Sequence, residues 1–345
     1  MKCVICAIAK QENQYIYEWA KYHLDIGFVH LHIYDNNDID GERITDVFRE
    51  TDIEGQITIH DVRGMTRMQM KVYQQCYEQE DFDWCAFIDI DEFITFTEPR
   101  MSICDFLSDK QRFEAVHLNW LCYGDDGQLT SDGRNVRERF EHPIEPLDFK
   151  VAYITIPENA HIKSIVRKGL PIDWNKPCGE MPWLSTAHTP AGLHSVCNDL
   201  GIEVRNLPWA KISHTSCFLA HYVTKTITEY GVKVHRPGAD SNLYSNSYAR
   251  FFRYNRFSFK KLLFIKRVSP ETPILSIIQD VIKWWMFTHH LLGSWCYREY
   301  RRKLIDEKKF GIYILDGKEI RVYRFGEFLL KPYLWVKRIL IGRSI

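Results

Sequence analysis

The chain predicts an α/β fold built on a mostly parallel sheet flanked by helices. Three observations carry this. Lys2–Ala9 is a continuous apolar run, strand-like and helix-like segments then alternate, and several strand-like runs end in clusters of polar side chains. An apolar run without alternation suits a strand covered on both faces. Strands separated by helical patterns imply crossover units and hence parallel pairing.

The elements follow in order. After Lys2–Ala9, residues Ile16, Trp19, Ala20, His23 and Leu24 recur at helical spacing, and Gly27 supplies a stop. His30–Tyr34 reads as a second strand, running into Asp35-Asn36-Asn37-Asp38, and Ile57–Val62 as a third. Met68, Val72 and Cys76 mark one face of a helix flanked by Gln69 and Lys71. Trp84–Ile88 is a fourth strand, leading into Asp89-Ile90-Asp91-Glu92. Further strands are expected from Ala115 to Trp120, near Ile162–Val166 and near Ser216–Tyr222. In parallel sheets ligands gather at the carboxyl ends of strands, so Lys10, Glu12, Asp35 and the Asp89/Asp91 pair should share one rim.

With 345 residues, 45% hydrophobic and 26% charged, the chain is globular and not disordered. Lys+Arg and Asp+Glu number 45 each, which argues against a nucleic-acid binder. The charge is unevenly spread. Residues 250–345 hold 21 basic and 8 acidic side chains, against 24 and 37 in residues 1–249. We therefore divide the chain into an α/β catalytic domain, 1–244, and a basic, aromatic, helical region, 245–345. In that tail Trp284, Trp285, Trp295 and Trp335 lie among Lys and Arg. Such a composition suits an interfacial helix on the inner leaflet of a membrane, or packing against the domain or a second copy of the chain. The first residues have too short an apolar run for a signal peptide, and no window reaches the ~20 apolar residues of a membrane span. A cytoplasmic protein, peripheral to the inner membrane, is expected. The ten Cys are scattered, and Cys3 and Cys6 should point to opposite faces of one strand, so buried free thiols are expected rather than a zinc site.

The sharpest motif is Phe87-Ile88-Asp89-Ile90-Asp91-Glu92-Phe93. Carboxylates at the end of an apolar strand are not there for packing. Strand alternation puts Asp89 and Asp91 on one side and Glu92 on the other. Two such carboxylates suit a hard divalent ion, Mn2+ or Mg2+. Gln69 and Lys71, at a helix start, and Lys163 and Arg167, flanking Ser164-Ile165-Val166, are candidate phosphate contacts.

Several segments, in order, resemble the GT-A-fold glycosyltransferases of the family 92 and family 2-like branch. They are Ala7 to Asn13, Glu18 to His23, Gly27-Phe28, Tyr34 to Asn37, Gln69 to Cys76, Trp84 to Phe93, Lys163 to Arg167 and His221 to Thr226. The resemblance implies a Rossmann-like GT-A domain binding a nucleotide-sugar donor, UDP by family habit, with Ala9, Lys10, Glu12 and Asp35 at the base and ribose. It implies that Asp89 and Asp91 hold the cation, completed by His221 or His188, and that Lys225 meets phosphate. It also implies inversion, with a carboxylate as base; Glu180 and Asp126 are the candidates. The acceptor would be a glycan or lipid-linked saccharide in bacterial surface polysaccharide or lipopolysaccharide synthesis. The alternatives are a haloacid-dehalogenase-like phosphohydrolase, which also carries D-x-D after a strand, and a non-catalytic glycan- or nucleotide-binding module.

Overall fold

The computed structural model describes residues 1–144, 148–151, 154–174, 193–204, 212–234, 247–255, 261, 264–265, 277–278, 310–315 and 318–323. These fall into two compact units. One comprises Met1–Leu147 with Pro157–Pro270; the other comprises Asp148–Ile156 with Glu271–Ile345.

In the first unit, β1 (Cys3–Ala9), α1 (Asn13–Asp25), β2 (His30–Asp35), α2 (Ile44–Phe48), β3 (Ile57–Asp61), α3 (Gln69–Gln79) and β4 (Trp84–Phe87) follow the alternation read from the sequence. They continue into β5 (Glu92–Phe96), α4 (Ile103–Ser108), β6 (Ala115–Cys122) and α5 (Val136–Arg139). Short strands β7 (Asp148–Val151) and β8 (Ile154–Pro157), which pair with each other, belong to the second unit up to Ile156. The sheet resumes with β9 (Ile162–Arg167), β10 (Val196–Cys197), β11 (Glu203–Val204) and β12 (Cys217–His221), followed by α6 (Ile227–Val234) and α7 (Tyr248–Tyr254).

The strand order is β11-β10-β6-β9-β4-β1-β2-β3, with β12 joining β6 and β5. Strands β4, β1, β2 and β3 are parallel, so their carboxyl ends share one edge, as the polar strand ends required. The sheet is mixed because β9 runs antiparallel between β4 and β6.

The seven residues of β1 are all buried and alternate between two cores. Cys3, Ile5, Ala7 and Ala9 pack with Tyr15, Ile16, Trp19 and Ala20 of α1, while Val4, Cys6 and Ile8 pack with Val72, Tyr73 and Cys76 of α3. Each large apolar side chain so buried contributes about 2 kcal/mol. Cys3 and Cys6 do face opposite ways, and the described cysteines are free thiols, seven of the eight buried.

Helix α1 also fixes the start of β5. The Trp19 indole donates to the Glu92 carbonyl at 2.8 Å, and the Tyr22 hydroxyl to that of Ile94 at 2.7 Å. The Ile94 N–H reaches the His23 ring at 3.3 Å. Burial holds His23 neutral, at a pKa of about 3. Gly27, at φ +102°, then turns the chain out of the helix where a side chain would be strained.

In the second unit, β13 (Phe310–Leu315) and β14 (Lys318–Tyr323) form an antiparallel pair. This corrects the helical expectation for part of the tail. Ile312, Ile314, Ile320 and Val322 alternate with other residues on either side of Asp316-Gly317, a dipeptide that hairpins favour. The basic, aromatic composition had masked that period. The four Trp of the tail lie outside the described residues. Among the described residues no helix is long and apolar enough to cross a membrane.

Candidate active site

The rim is stitched together at the ends of β1 and β2. The Asn36 N–H donates to the Ala9 carbonyl at 2.8 Å, and the Gln11 N–H to Asn37 Oδ1 at 2.6 Å. Lys10 pairs with Asp38 at 2.7 Å. Asp35 is buried and spends its two oxygens on the N–H groups of Asn37 and Ile44, at 3.0 and 2.8 Å. It shapes the loop instead of presenting a carboxylate to a ribose. Beside this rim lies a cavity of about 810 Å³, lined in part by Gln11, Asn13, Asn37, Asp38, Arg43 and Asp46.

The acidic motif corrects the alternation argument. Strand β4 ends at Phe87, and Asp89 to Asp91 form a turn closed by the Glu92 N–H on the Asp89 carbonyl at 3.1 Å. A turn has no two-residue period, so the side chains regroup. Asp89 and Glu92 share Lys163, at 2.8 and 3.4 Å, and Glu92 accepts from the Asp89 N–H at 2.9 Å. Asp91 instead meets Lys233 and stands 3.6 Å from His221 Nε2.

Three side chains from β12 and beyond complete the cluster. His221 ends β12 and packs edge-on against Trp120. Lys225, held at φ +53° in the following loop, lies 3.7 Å from Glu12 and 4.1 Å from the Tyr15 ring centre. Lys233 sits on the buried stripe of α6 with Ile227 and Tyr230. A charged residue on an apolar stripe was the available sequence signal for it, and it was missed. A small second cavity is lined by Glu12, Tyr15, Thr224, Lys225 and Lys233, and shares Gln11 with the large one.

Burial raises the Asp91 carboxyl, but Lys233, His221 and Lys225 outweigh that and hold it well below the usual range. Glu92 goes the other way. Burial, with Asp89 and Asp91 nearby, pushes it well above the ordinary value despite Lys163, which favours its neutral form. Burial and Lys233 lower Lys225, partly offset by Glu12 and Asp91. Burial likewise lowers His221, against the pull of Asp91, leaving a neutral ring. Glu12, Asp89 and Asp91 therefore face Lys163, Lys225 and Lys233, three against three. Polar atoms remain unsatisfied, since Lys225 Nζ and His221 Nδ1 are buried without a hydrogen-bond partner.

The residue types suit a hard cation. Asp91 Oδ1 and His221 Nε2 stand 3.6 Å apart, close to the separation of about 3 Å between neighbouring ligands of one ion. Asp89, the third expected ligand, is turned to Lys163.

The other expected residues are scattered. Gln69 is buried and donates to the Tyr73 hydroxyl at 3.3 Å, while Lys71 is exposed on α3. Arg167 bonds the Gln111 carbonyl at 2.9 Å. Asp126, at φ +44°, accepts from the N–H groups of Glu141 and His142 at 2.8 and 3.3 Å, the work of a turn anchor. Glu180 and His188 lie outside the described residues.

A second buried network stands beside the cluster. Arg139 donates twice to Glu229, at 3.0 and 2.7 Å, and Glu229 also accepts from the Tyr15 hydroxyl at 2.9 Å. With Thr226 it forms a capping box that starts α6.

Fold and site together define an α/β domain with a charge-balanced cluster at the strand ends, part of which lines a small cavity. Residues 2–169, just under half of the chain, match the glycosyltransferase family 92 model. A glycosyltransferase family 92 protein of Oryza sativa subsp. japonica is 31% identical over 173 residues, 46% of this chain. The chain spans 29% of that relative's length. Among solved structures, Staphylococcus aureus TarS 1–349 in complex with UDP-GlcNAc is 11% identical, covering 94% of this chain and 97% of its own, with a TM-score of 0.38. HddC from Yersinia pseudotuberculosis is 10% identical over 48% of this chain and 77% of its own, at 0.30. At those scores no residue role transfers from either structure.

Proposed function

We propose that the chain is a glycosyltransferase that takes a sugar from a nucleotide-diphosphate donor, UDP in the first instance, and passes it with inversion to a hydroxyl of a glycan or lipid-linked saccharide. Bacterial surface polysaccharide or lipopolysaccharide synthesis, at the inner leaflet, is the setting this reading favours. The observation that carries it is the buried cluster at the end of β4 in a family 92 region, with Lys225 Nζ lacking a hydrogen-bond partner beside a cavity.

The cluster's charge balance has a consequence. A diphosphate entering a balanced, buried site must bring positive charge with it or strip a lysine from its carboxylate, because an uncompensated buried charge is costly. Asp91, His221 and Asp89 would hold Mn2+ or Mg2+; when bound, the cation would neutralise negative charge on the leaving nucleotide. Lys225 and Lys233 then face the phosphate oxygens as point charges. Trp19 and Tyr22, by gripping Glu92 and Ile94, keep the acidic turn in place. Neutral Glu92 accepts the Asp89 N–H and brings Lys163 beside Asp89 without adding a fourth negative charge.

Asp91→Asn tests the reading. Calorimetric binding of UDP should require Mn2+ in the parent chain and be lost in the variant, with the circular-dichroism spectrum unchanged. UDP affinity that is the same in both proteins would overturn it. Hydrolysis of p-nitrophenyl phosphate by the parent chain would instead favour the phosphohydrolase.

A further inference from the structure

On the face of the sheet covered by α3, well separated in role from the strand-end cluster, three metal-ligating side chains converge. His32 lies in β2, His60 in β3, and Glu80 follows the last residue of α3. The register pairs His32 with Thr58 and Tyr34 with His60, so the two histidines are diagonal neighbours on adjacent parallel strands. One nitrogen of each ring points at the other, His60 Nε2 to His32 Nδ1 at 3.5 Å. Glu80 Oε2 is 3.7 Å from His32 Nδ1, and the ligand atoms of all three lie within 4.8 Å of one another. Among the described residues this is the one His, Cys, Asp or Glu triad that meets that spacing.

Two ring nitrogens and a carboxylate oxygen gathered within 4.8 Å of one another share at most a few protons among three acceptors. A cation between them serves all three. With metal–nitrogen bonds of 2.0–2.1 Å, two ligands of a tetrahedral ion stand about 3.3 Å apart, and the observed 3.5 and 3.7 Å need only small side-chain shifts. Two imidazoles and one carboxylate form a donor set for a borderline divalent ion, with a fourth position left to water. The rings are fixed before any ion arrives. The His60 ring stacks on Tyr34 at 4.3 Å and 13°, and the His32 ring packs against His30 at 4.9 Å. Entry is open from the helix side, where the Glu80 side chain is 30% exposed, and β3 is the last strand of the sheet.

We infer that His32, His60 and Glu80 bind a zinc-type divalent cation that ties the end of α3 to the β2–β3 edge. The inference does not depend on the proposed transferase activity.

The test is Zn2+ binding to the full chain, stripped with chelator and carrying Asp91→Asn so that the strand-end cluster does not contribute. One Zn2+ per chain is expected, with a rise in Tm. His60→Gln, and separately the partly exposed Glu80→Gln, should weaken binding at least about tenfold and abolish the Tm rise. Co2+ in place of Zn2+ should give only the weak visible bands of nitrogen and oxygen ligation. Equal Zn2+ affinity in both variants, or a strong near-ultraviolet thiolate-to-cobalt band pointing to Cys76 or Cys85, would overturn the assignment.

Discussion

Two buried ionic networks lie side by side in this domain and differ in one respect. The Arg139–Glu229 pair is bidentate and braced by Tyr15 and Thr226, so both carboxylate oxygens are used more than once. Across the Tyr15 ring, Lys225 has a carboxylate at 3.7 Å, an aromatic face and no hydrogen bond. Both are desolvated. A satisfied pair fixes structure, whereas a desolvated cation with spare donors next to a cavity is poised to meet an anion that arrives later. The shared Tyr15 explains their adjacency, because the scaffold network holds the ring on which Lys225 rests.

The comparison breaks most visibly at Arg139. Arg139→Met should cost about 3–5 kcal/mol in urea unfolding at neutral pH, since it leaves Glu229 buried and unpaired. The pH dependence checks the cause. Burial raises the Glu229 carboxyl, but Arg139 and Thr226 bring it down to about 2. A folded-state pKa below the unfolded value gives stability that is present above about 4.5 and lost as pH falls toward 2. The penalty of the variant should therefore shrink over that window. A penalty of the same size at pH 2.5 and pH 7 would mean that lost packing, not charge, is responsible.

Lys225 should show the reverse profile. Lys225→Met removes a cation that makes no hydrogen bond, so its stability cost should be smaller than that of Arg139→Met even though Glu12 loses its partner at 3.7 Å. Its nucleotide-sugar turnover should fall about 10²–10³-fold, the usual cost of deleting one charge-stabilising donor. A variant that loses stability while keeping turnover would reverse the assigned roles of the two networks.

The smallest effect is expected at Glu92. Its folded-state pKa is raised, so its contribution is fully present below the unfolded value and is lost as pH rises through the folded one. Glu92→Gln keeps an acceptor for the Asp89 N–H. It should match the parent near pH 4 and be the more stable of the two at pH 8. Equal stability at both pH values would place a charged Glu92 in the fold.

Much of this architecture was legible in advance for identifiable reasons. β1, β2, β3, β4 and α3 announced themselves through apolar runs and a 3.6-residue stripe, patterns that burial on a sheet imposes directly on sequence. The Asp89 motif was legible as a buried ionic cluster because charge after an apolar strand conflicts with packing. Its internal geometry was not, since a two-residue period was extended into a turn. Lys233 was missed because it lies 142 residues from Asp91 in sequence, and no local pattern links them. Asp35 was read as a nucleotide contact and Asp126 as a candidate base because a carboxylate in a loop looks the same whether it meets a substrate or backbone N–H groups.

The sequence by itself determined the parallel α/β core, the shared rim of strand ends and the presence of a carboxylate cluster after β4. These depend on short-range periodicity and on the cost of burying charge, which act at every position. Only the tertiary structure decided which cation faces which carboxylate, that burial drives the Glu92 carboxyl upward, and that His32, His60 and Glu80 converge. Pairings of that kind depend on where separate segments meet and on the desolvation they share there, and neither quantity is written in the neighbourhood of any one residue.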